Sequence, residues 1–213
     1  MIKKLIETLD FEGLKDHLSK QPELANEGFT CDERNPAIEH PLHRICDGVF
    51  MKVYSDLEGV ELAKIFLSFG AKVDGWGLIE KRDSPLVAAA SLHADEVAFL
   101  YIDHGANIHH RGCHGGTALH WAAWCGRDKL VKRLIREGSD IHKNCIDFEG
   151  TPLLWAVHGY KFGGEVNRSH QIECVRLLLE AGADKTTTNI EGTKPIGFLN
   201  ADDVDMIRIL EGA

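Results

Sequence analysis

The chain has 213 residues, 44% of them hydrophobic, and a formal net charge of −9 at pH 7. An acidic chain is a poor candidate for non-specific binding to nucleic acid or anionic lipid, because those contacts depend on clustered lysine and arginine. The first residues lack the uninterrupted apolar run of a signal peptide, and no later segment is long and apolar enough to span a membrane. We therefore expect a cytoplasmic protein that has neither nucleic acid nor a membrane as its partner.

Six cysteines are spread along the chain without the paired spacing of a zinc site or the density of a disulfide scaffold. We expect them to be free thiols, and no cofactor is implied. They are Cys31, Cys46, Cys113, Cys125, Cys145 and Cys174.

Residues 1–28 carry apolar side chains at helical spacing. Ile2 and Leu5 would share a face of one helix, and Leu14 and Leu18 a face of the next. We predict a short helix pair that caps this end of the fold.

A recurrent motif follows. Each copy has a polar residue, a proline or alanine, a run of small and apolar residues, an amphipathic run and then a glycine. The intervals between successive copies are 44, 33, 34 and 43 residues. A unit this short cannot bury its own apolar face, so the copies must stack. The copies are anchored at Pro41, Pro85, Ala118, Pro152 and Pro195.

Local chemistry predicts how a copy folds. Thr117 is placed to cap a first helix by accepting backbone N–H bonds. A proline in the first turn, as at Pro85, loses no hydrogen bond because that N–H would be unpaired in any case. The glycines Gly105, Gly138 and Gly182 are typical of left-handed C-terminal caps that end the second helix.

This pattern resembles the ankyrin repeat, whose period is about 33 residues and whose signature is Thr-Pro-Leu-His-x-Ala. The resemblance covers nearly the whole chain and implies an all-α solenoid of about six helix-turn-helix repeats joined by finger-like β-turns. It implies a single domain over residues 1–213. The signature histidine, here His43 and His120, is expected to bond to the turn backbone. The repeats would occupy residues 1–28, 38–74, 83–108, 116–141, 150–184 and 193–213, the first and last as caps.

The resemblance also implies a concave face, formed by the finger tips and the exposed side of the first helices, that meets a protein partner. Trp124 is the leading candidate contact, because tryptophan is enriched at interface hot spots and its counterparts in other repeats are small or polar. The alternative is that Trp124 merely covers a neighbouring helix. Trp121 and Trp155, at equivalent positions, are expected to pack between repeats, with contact to a ligand as the alternative. The other candidates on this face are Ser91, Leu92, Cys125 and His158 on the helices, and Trp76, Arg82, His114 and Phe148 at the finger tips.

Two repeats are nine or ten residues longer than the others, and the excess falls between their first and second helices. The insertions lie within residues 48–59 and 159–169 and are expected to form surface loops, where recognition often resides. The alternative is tolerated drift in surface length. Their aromatic residues, expected to be exposed and to contact the partner, are Phe50, Tyr54, Tyr160 and Phe162.

The segment His109–His114 contains three histidines and Cys113, which are zinc-ligand types. It has no flanking Cys-x-x-Cys pair and coincides with a predicted finger turn. A metal-responsive binder is therefore kept as an alternative, while no metal is expected.

The main hypothesis is a monomeric, non-catalytic module that binds a protein partner not identified by the sequence. One variant of it is an inhibitor or immunity-type protein of a toxin or enzyme. The chain lacks a Gly-x-Ser-x-Gly elbow, a Walker loop and a His-Glu-x-x-His helix, which argues against an enzyme. A nucleophile built from Cys125 and a histidine is the remaining catalytic alternative.

Overall fold

The structure is a computed structural model, and it describes residues 1–30, 37–163 and 168–212. In these ranges the chain forms eleven α-helices and one pair of two-residue strands. The chain packs as two compact units. The first comprises Met1–Leu78 with Asp83–Asn107, and the second Ile79–Arg82 with Ile108–Ala213.

The first unit consists of three successive helix pairs. Its short strands β1 and β2 are antiparallel, with Phe29 opposite Glu39. The first helices of the second and third pairs, α3 and α5, pack on each other, as do the second helices, α4 and α6. The unit therefore has two helix layers. Its elements are α1 (Ile2–Glu7), α2 (Phe11–Lys20), β1 (Phe29–Thr30), β2 (Ile38–Glu39), α3 (Pro41–Phe50), α4 (Asp56–Ser68), α5 (Pro85–Ser91) and α6 (Asp95–Asp103).

The second unit repeats this arrangement. Its first helices α7 and α9 pack on each other, and so do its second helices α8 and α10. A 3-10 helix, Pro195–Phe198, packs on α9 in the place of a further first helix. The α-helices are α7 (Ala118–Trp124), α8 (Asp128–Arg136), α9 (Pro152–Phe162), α10 (Arg168–Glu180) and α11 (Val204–Glu211).

Small side chains let neighbouring first helices approach each other. Ala88, Ala89 and Ala90 of α5 are fully or almost fully buried, as are Ala122 and Ala123 of α7. The core of each unit lies between its helix layers, where no larger side chain would fit at these positions without displacing a neighbour.

The predicted left-handed glycine ends of the second helices are confirmed. Thr117, the predicted cap of α7, contacts Nδ1 of His120 through both its N–H and its hydroxyl. Side-chain caps are present at two other helix starts. Ser84 and Thr151 cap α5 and α9 by accepting the backbone N–H of the third helical residue. Gly138 ends α8 with φ +87°, and its N–H donates to the carbonyl of Ile135. Glycine adopts this left-handed conformation without the steric cost that a Cβ atom would add.

His120 has the structural role expected of the signature histidine. Its Nδ1 accepts the backbone N–H of Thr117 at 3.1 Å. Its Nε2 lies 3.0 Å from the carbonyl oxygen of Lys143 and 3.2 Å from that of Gly150. The ring thus ties the start of α7 to the following turn. His43 is half-buried, and for it this role stays a prediction.

The two insertions differ from the predicted surface loops. Relative to the third repeat, α3 is three residues longer than α5, α4 is four residues longer than α6, and the connection gains two residues. Helices α9 and α10 have 11 and 13 residues in the same way. Most of the inserted residues therefore extend helices instead of forming loops. In the first insertion a capping box formed by Ser55 and Glu58 then starts α4.

Candidate functional site

Aromatic side chains of the second unit surround a cavity of about 430 Å³. A cavity of this size is in the range of pockets that hold ligands or several side chains of a partner. Two indoles, those of Trp121 and Trp124, are half-buried, whereas Phe148 keeps 47% of its surface exposed. The aromatic lining consists of His114, Trp121, Trp124, Phe148, Trp155, His158 and Phe198.

The repeat spacing builds the floor of the cavity. Trp121 and Trp124 are three residues apart on α7, and Trp155 and His158 occupy the same positions on α9. Residues three apart lie on one face of a helix, so each first helix presents two rings to the same side. The walls come from segments outside the α-helices. They are His114 and Phe148 on two successive finger turns, Ile190 on the next, and Phe198 in the 3-10 helix.

The rings contact one another mainly edge to face. Trp121 lies at an interplanar angle of 80° to Trp155, with ring centroids 5.1 Å apart, and at 77° to Trp124 at 6.2 Å. The ring of His158 is perpendicular to that of Phe198. Edge-to-face pairs are favourable and hold each ring in a defined orientation. The cavity is therefore a preformed feature.

Polar contacts also hold three rings of the cavity, those of Trp124, His158 and His114. The indole N–H of Trp124 donates to Nδ1 of His158 at 3.3 Å. Burial lowers the pKa of His158, so its ring is neutral at pH 7. His114 lies 3.1 Å from a carboxylate oxygen of Asp147, and Lys81 lies 2.5 Å from the other. These hydrogen bonds from Lys81 and then His114 hold the pKa of Asp147 below its ordinary value.

Glu191 adds a carboxylate to this aromatic surface. Of the described residues that line the cavity, it is the one with a fixed charge. No residue in the described ranges forms a hydrogen bond or ion pair with its side chain. The cavity thus combines ring faces with a single unpaired negative charge.

Two residues that the sequence analysis overlooked support Trp124 from below. The side-chain amide of Gln171 on α10 donates to the carbonyl oxygen of Trp124 at 2.5 Å. A Cβ atom at Gly159 would lie 2.1 Å from the same oxygen, so glycine is required there. A signal existed in the sequence, because glycine occupies the same position, seven residues after the anchoring proline, in both long repeats (Gly48 and Gly159).

The expectation that Trp121 and Trp155 pack between repeats is confirmed by their mutual contact. Both rings also line the cavity. Trp155 is 7% exposed, and its N–H donates to the sulfur of Cys145 at 3.4 Å. It therefore contributes mainly to packing, whereas Trp121 contributes to both packing and the surface.

Three predicted contact residues are buried, and the expectation that they are exposed is wrong. Cys125, the C-cap residue of α7, is 3% exposed. Tyr54 is 6% exposed, and its hydroxyl donates to the carbonyl of Ile45 over Gly48. Tyr160 is 8% exposed within the lengthened α9, with the guanidinium of Arg168 over its ring. Tyr54 thus packs inwards from the α3–α4 connection, and Tyr160 from the lengthened α9.

The remaining candidate of the second insertion, Phe162, is 57% exposed at the end of α9. Its ring centroid lies 4.6 Å from that of His158, which connects it to the aromatic cluster around the cavity. Residues 164–167 of this insertion lie outside the described residues. Arg82, also in the second unit, is exposed, and its carbonyl oxygen contacts Nε2 of His110.

Four of the predicted contact residues that belong to the first unit are exposed or half-buried. Trp76 is 43% exposed, and its N–H donates to the carbonyl of Asn26 at 2.7 Å. Phe50 is 55% exposed at the end of α3. Ser91 and Leu92, at the end of α5, are half-buried. These side chains remain accessible, but they do not line the cavity of the second unit.

The His109–His114 segment does not bring its metal-type side chains together. His110 is buried and contacts the carbonyl of Arg82, while His114 contacts Asp147. Across the described residues there is no group of three or more histidine, cysteine or acidic side chains that could hold a metal ion. Five cysteines (Cys46, Cys113, Cys125, Cys145 and Cys174) are free thiols as expected, and Cys31 lies outside the described residues.

Comparison with known proteins agrees with this geometry. The family described as Ankyrin repeats (3 copies) matches residues 51–147 and 86–189, which together span more than half of the chain. The chain belongs to the ankyrin repeat family. Ankyrin repeats mediate protein–protein interaction, and the fold is typically a non-catalytic module. The all-α repeat fold expected from the sequence is therefore confirmed.

A solved ankyrin repeat structure shows the same fold. The crystal structure of an ankyrin repeat domain from Acinetobacter baumannii matches with a TM-score of 0.75, covering 99% of this ankyrin repeat chain and 96% of that one. The sequence identity is 21%, so the similarity shows the fold alone.

The curated relatives are similar over shorter stretches. B-cell lymphoma 3 protein homolog of Mus musculus is 35% identical over 45% of this chain and 21% of its own length. Protein phosphatase 1 regulatory subunit 27 of Homo sapiens is 32% identical over 50% of this chain and 60% of its own length. Palmitoyltransferase ZDHHC13 of Mus musculus is 38% identical over 38% of this chain and 11% of its own length. This chain therefore covers less than two thirds of each of these relatives.

The helices of the structure bear on whether the chain could span a membrane. None of the helices in the described part of this ankyrin repeat chain combines the length and apolar character needed to cross a bilayer.

Proposed function

We propose that this ankyrin repeat chain binds a segment of a protein partner in the aromatic cavity of its second unit, with Trp124 as the central contact. The observation that carries the proposal is the 430 Å³ cavity itself, with its three tryptophans and exposed Phe148. Tryptophan and tyrosine dominate interface hot spots because they bury much apolar area at small entropic cost. Interaction is also what ankyrin repeats do as a family.

We also propose that the chain is not an enzyme. Cys125, the one nucleophile suggested by the sequence, is 3% exposed and so is inaccessible to a substrate. The regulatory subunit of a phosphatase among the relatives acts, as its name states, through another protein. A binding role of this regulatory type, including inhibition of an enzyme, fits the cavity better than a reaction does.

We further propose that the chain acts as a cytoplasmic monomer and that nucleic acid and membranes are not its partners. The first unit contains 18 acidic and 9 basic residues and the second 15 of each, so the whole net charge of −9 belongs to the first unit. Such a distribution opposes binding to phosphate-rich surfaces. Size-exclusion chromatography with light scattering would test the monomer, and a dimeric mass would contradict it.

The test of the partner site compares capture from native lysate by the wild type, Trp124→Ala and Phe148→Ala. Phe148 is 47% exposed, so its removal changes the cavity with little effect on packing. Phe50→Ala is the matched control, because Phe50 is an exposed aromatic residue of the first unit. All variants must retain the wild-type melting temperature.

Once a captured partner is purified, its affinity for each variant is measured by calorimetry. A hot-spot residue is expected to weaken binding by at least about 2 kcal/mol, or roughly thirtyfold. Both cavity variants should show this loss and Phe50→Ala should not. The reverse pattern would move the site to the lengthened α3–α4 hairpin, and the proposal for the cavity would fail.

A further inference from the structure

The cavity combines two features that attract a cation, aromatic ring faces and a carboxylate. Trp121, Trp124 and Phe148 supply electron-rich rings, each of which keeps part of its surface exposed, and the buried Trp155 lies behind them. A cation is attracted to the face of an aromatic ring within about 6 Å, most strongly to tryptophan. Glu191 lines the same cavity with an unpaired carboxylate.

None of the described residues that line the cavity supplies a competing fixed positive charge. Lys81 is already paired with Asp147 at 2.5 Å, and Lys161 with Asp203 at 2.6 Å. The neighbouring ring of His158 accepts the Trp124 N–H and is neutral at pH 7. The surface is therefore complementary to a cation that is also large and flat enough to lie against rings.

We propose that the cavity of the second unit receives an arginine side chain of the protein partner, with the guanidinium stacked on the tryptophan rings and paired with Glu191. This inference rests on the proposed function and deepens it by naming the chemistry of the partner segment.

Arginine fits better than the other cationic side chain. Its guanidinium is planar, stacks on aromatic faces and can bond to a carboxylate through two parallel N–H groups. It is also more weakly hydrated than the ammonium of lysine, so less hydration is lost on entering an apolar cavity. The volume of about 430 Å³ leaves room for the whole side chain and the adjoining peptide.

The experiment uses the full chain and three capped tripeptides, Gly-Arg-Gly, Gly-Lys-Gly and Gly-citrulline-Gly. Citrulline keeps the shape of arginine but replaces the guanidinium by a neutral urea group. Binding is followed by the indole N–H signals of the four tryptophans in two-dimensional NMR spectra. Trp76 serves as the internal control, because it belongs to the first unit and does not line the cavity.

We expect the arginine peptide to shift the signals of Trp121, Trp124 and Trp155 in a saturable manner and to leave Trp76 unchanged. The citrulline peptide should bind about tenfold more weakly, because it has lost the attraction between cation and ring. The Glu191→Gln variant should bind the arginine peptide about threefold more weakly and the citrulline peptide unchanged, as expected for a partly exposed ion pair. Glu149→Gln is the control carboxylate, since Glu149 does not line the cavity.

Equal affinity for the arginine and citrulline peptides would overturn the proposal, and so would shifts that include Trp76 or an absence of shifts up to the solubility limit. Stronger binding of the lysine peptide would overturn the choice of arginine. If these tests fail while Trp124→Ala still abolishes partner capture, the cavity binds the partner through an apolar side chain, and the proposed function stands. If the peptide tests fail and Trp124→Ala also captures the partner as well as the wild type does, the proposed function fails too.

Discussion

The buried ring of His120 predicts a measurable loss of stability in mild acid. Nδ1 accepts the Thr117 N–H, so the proton of the neutral ring must sit on Nε2, which donates to the carbonyls of Lys143 and Gly150. This assignment follows from the partners of the ring. Burial lowers the pKa of His120 from 6.5 to about 4, against the opposing effect of the two carbonyls. In the folded chain the ring therefore stays neutral well below the pH at which the unfolded chain is protonated.

The direction and size of the effect follow from this pKa. The stability that depends on a neutral His120 is fully present above the unfolded pKa of about 6.5, and it is lost as the pH falls towards the folded pKa. The full shift of about 2.5 pKa units corresponds to about 3 kcal/mol. Between about pH 7.5 and about pH 5 the loss is about 2 kcal/mol, because the protonation of the unfolded chain is then well advanced.

The assay is urea unfolding of the wild type and of His120→Gln at these two pH values. Glutamine cannot be protonated, so the variant is expected to lose about 2 kcal/mol less on acidification, although it is less stable than the wild type at the higher pH. His40, whose pKa burial also lowers to about 4, contributes equally to both proteins and cancels in the comparison. The carboxyl groups with lowered pKa, such as Asp147 and Asp203, remain ionised at about pH 5. An equal loss of stability in the two proteins would refute the reasoning.

Two further predictions concern a support of Trp124 and a buried ion pair of the second unit. Gly159→Ala places a methyl group 2.1 Å from the Trp124 carbonyl oxygen, and we expect a loss of about 1–3 kcal/mol in thermal unfolding. Gly197→Ala, whose Cβ would meet only a side-chain methyl at 3.0 Å, is the control, and an equal loss there would contradict the steric argument. Lys161→Met leaves the carboxylate of Asp203, which is 4% exposed, without its cation, and should cost about 2 kcal/mol. Lys161→Arg should restore most of this loss, and failure of that rescue would mean that the charge pair is not the cause.

The sequence by itself determined the repeat and its local ends. Interactions within a few residues decide where a helix starts and stops, so Pro85 at the start of α5 and Gly138 at the end of α8 could be assigned from residue type and spacing. The period of the motif likewise required stacking, because one copy cannot bury its own apolar face. Even the contact between Trp121 and Trp155 followed from their equivalent positions.

Only the tertiary structure decided which side chains meet the solvent. Tyr54 and Tyr160 looked exposed because the inserted residues had no template, yet both are buried. Tyr54 packs over Gly48 from the α3–α4 connection, and Tyr160 lies within the lengthened α9. The cavity likewise depends on residues from separate finger turns and from the 3-10 helix, such as Ile190 and Phe198. Their distance from Trp124 in space is set by the packing of successive repeats, and the local sequence around each residue carries no information about it. For that reason the sequence identified Trp124 as a candidate, and the folded chain alone showed the aromatic, carboxylate-bearing cavity around it.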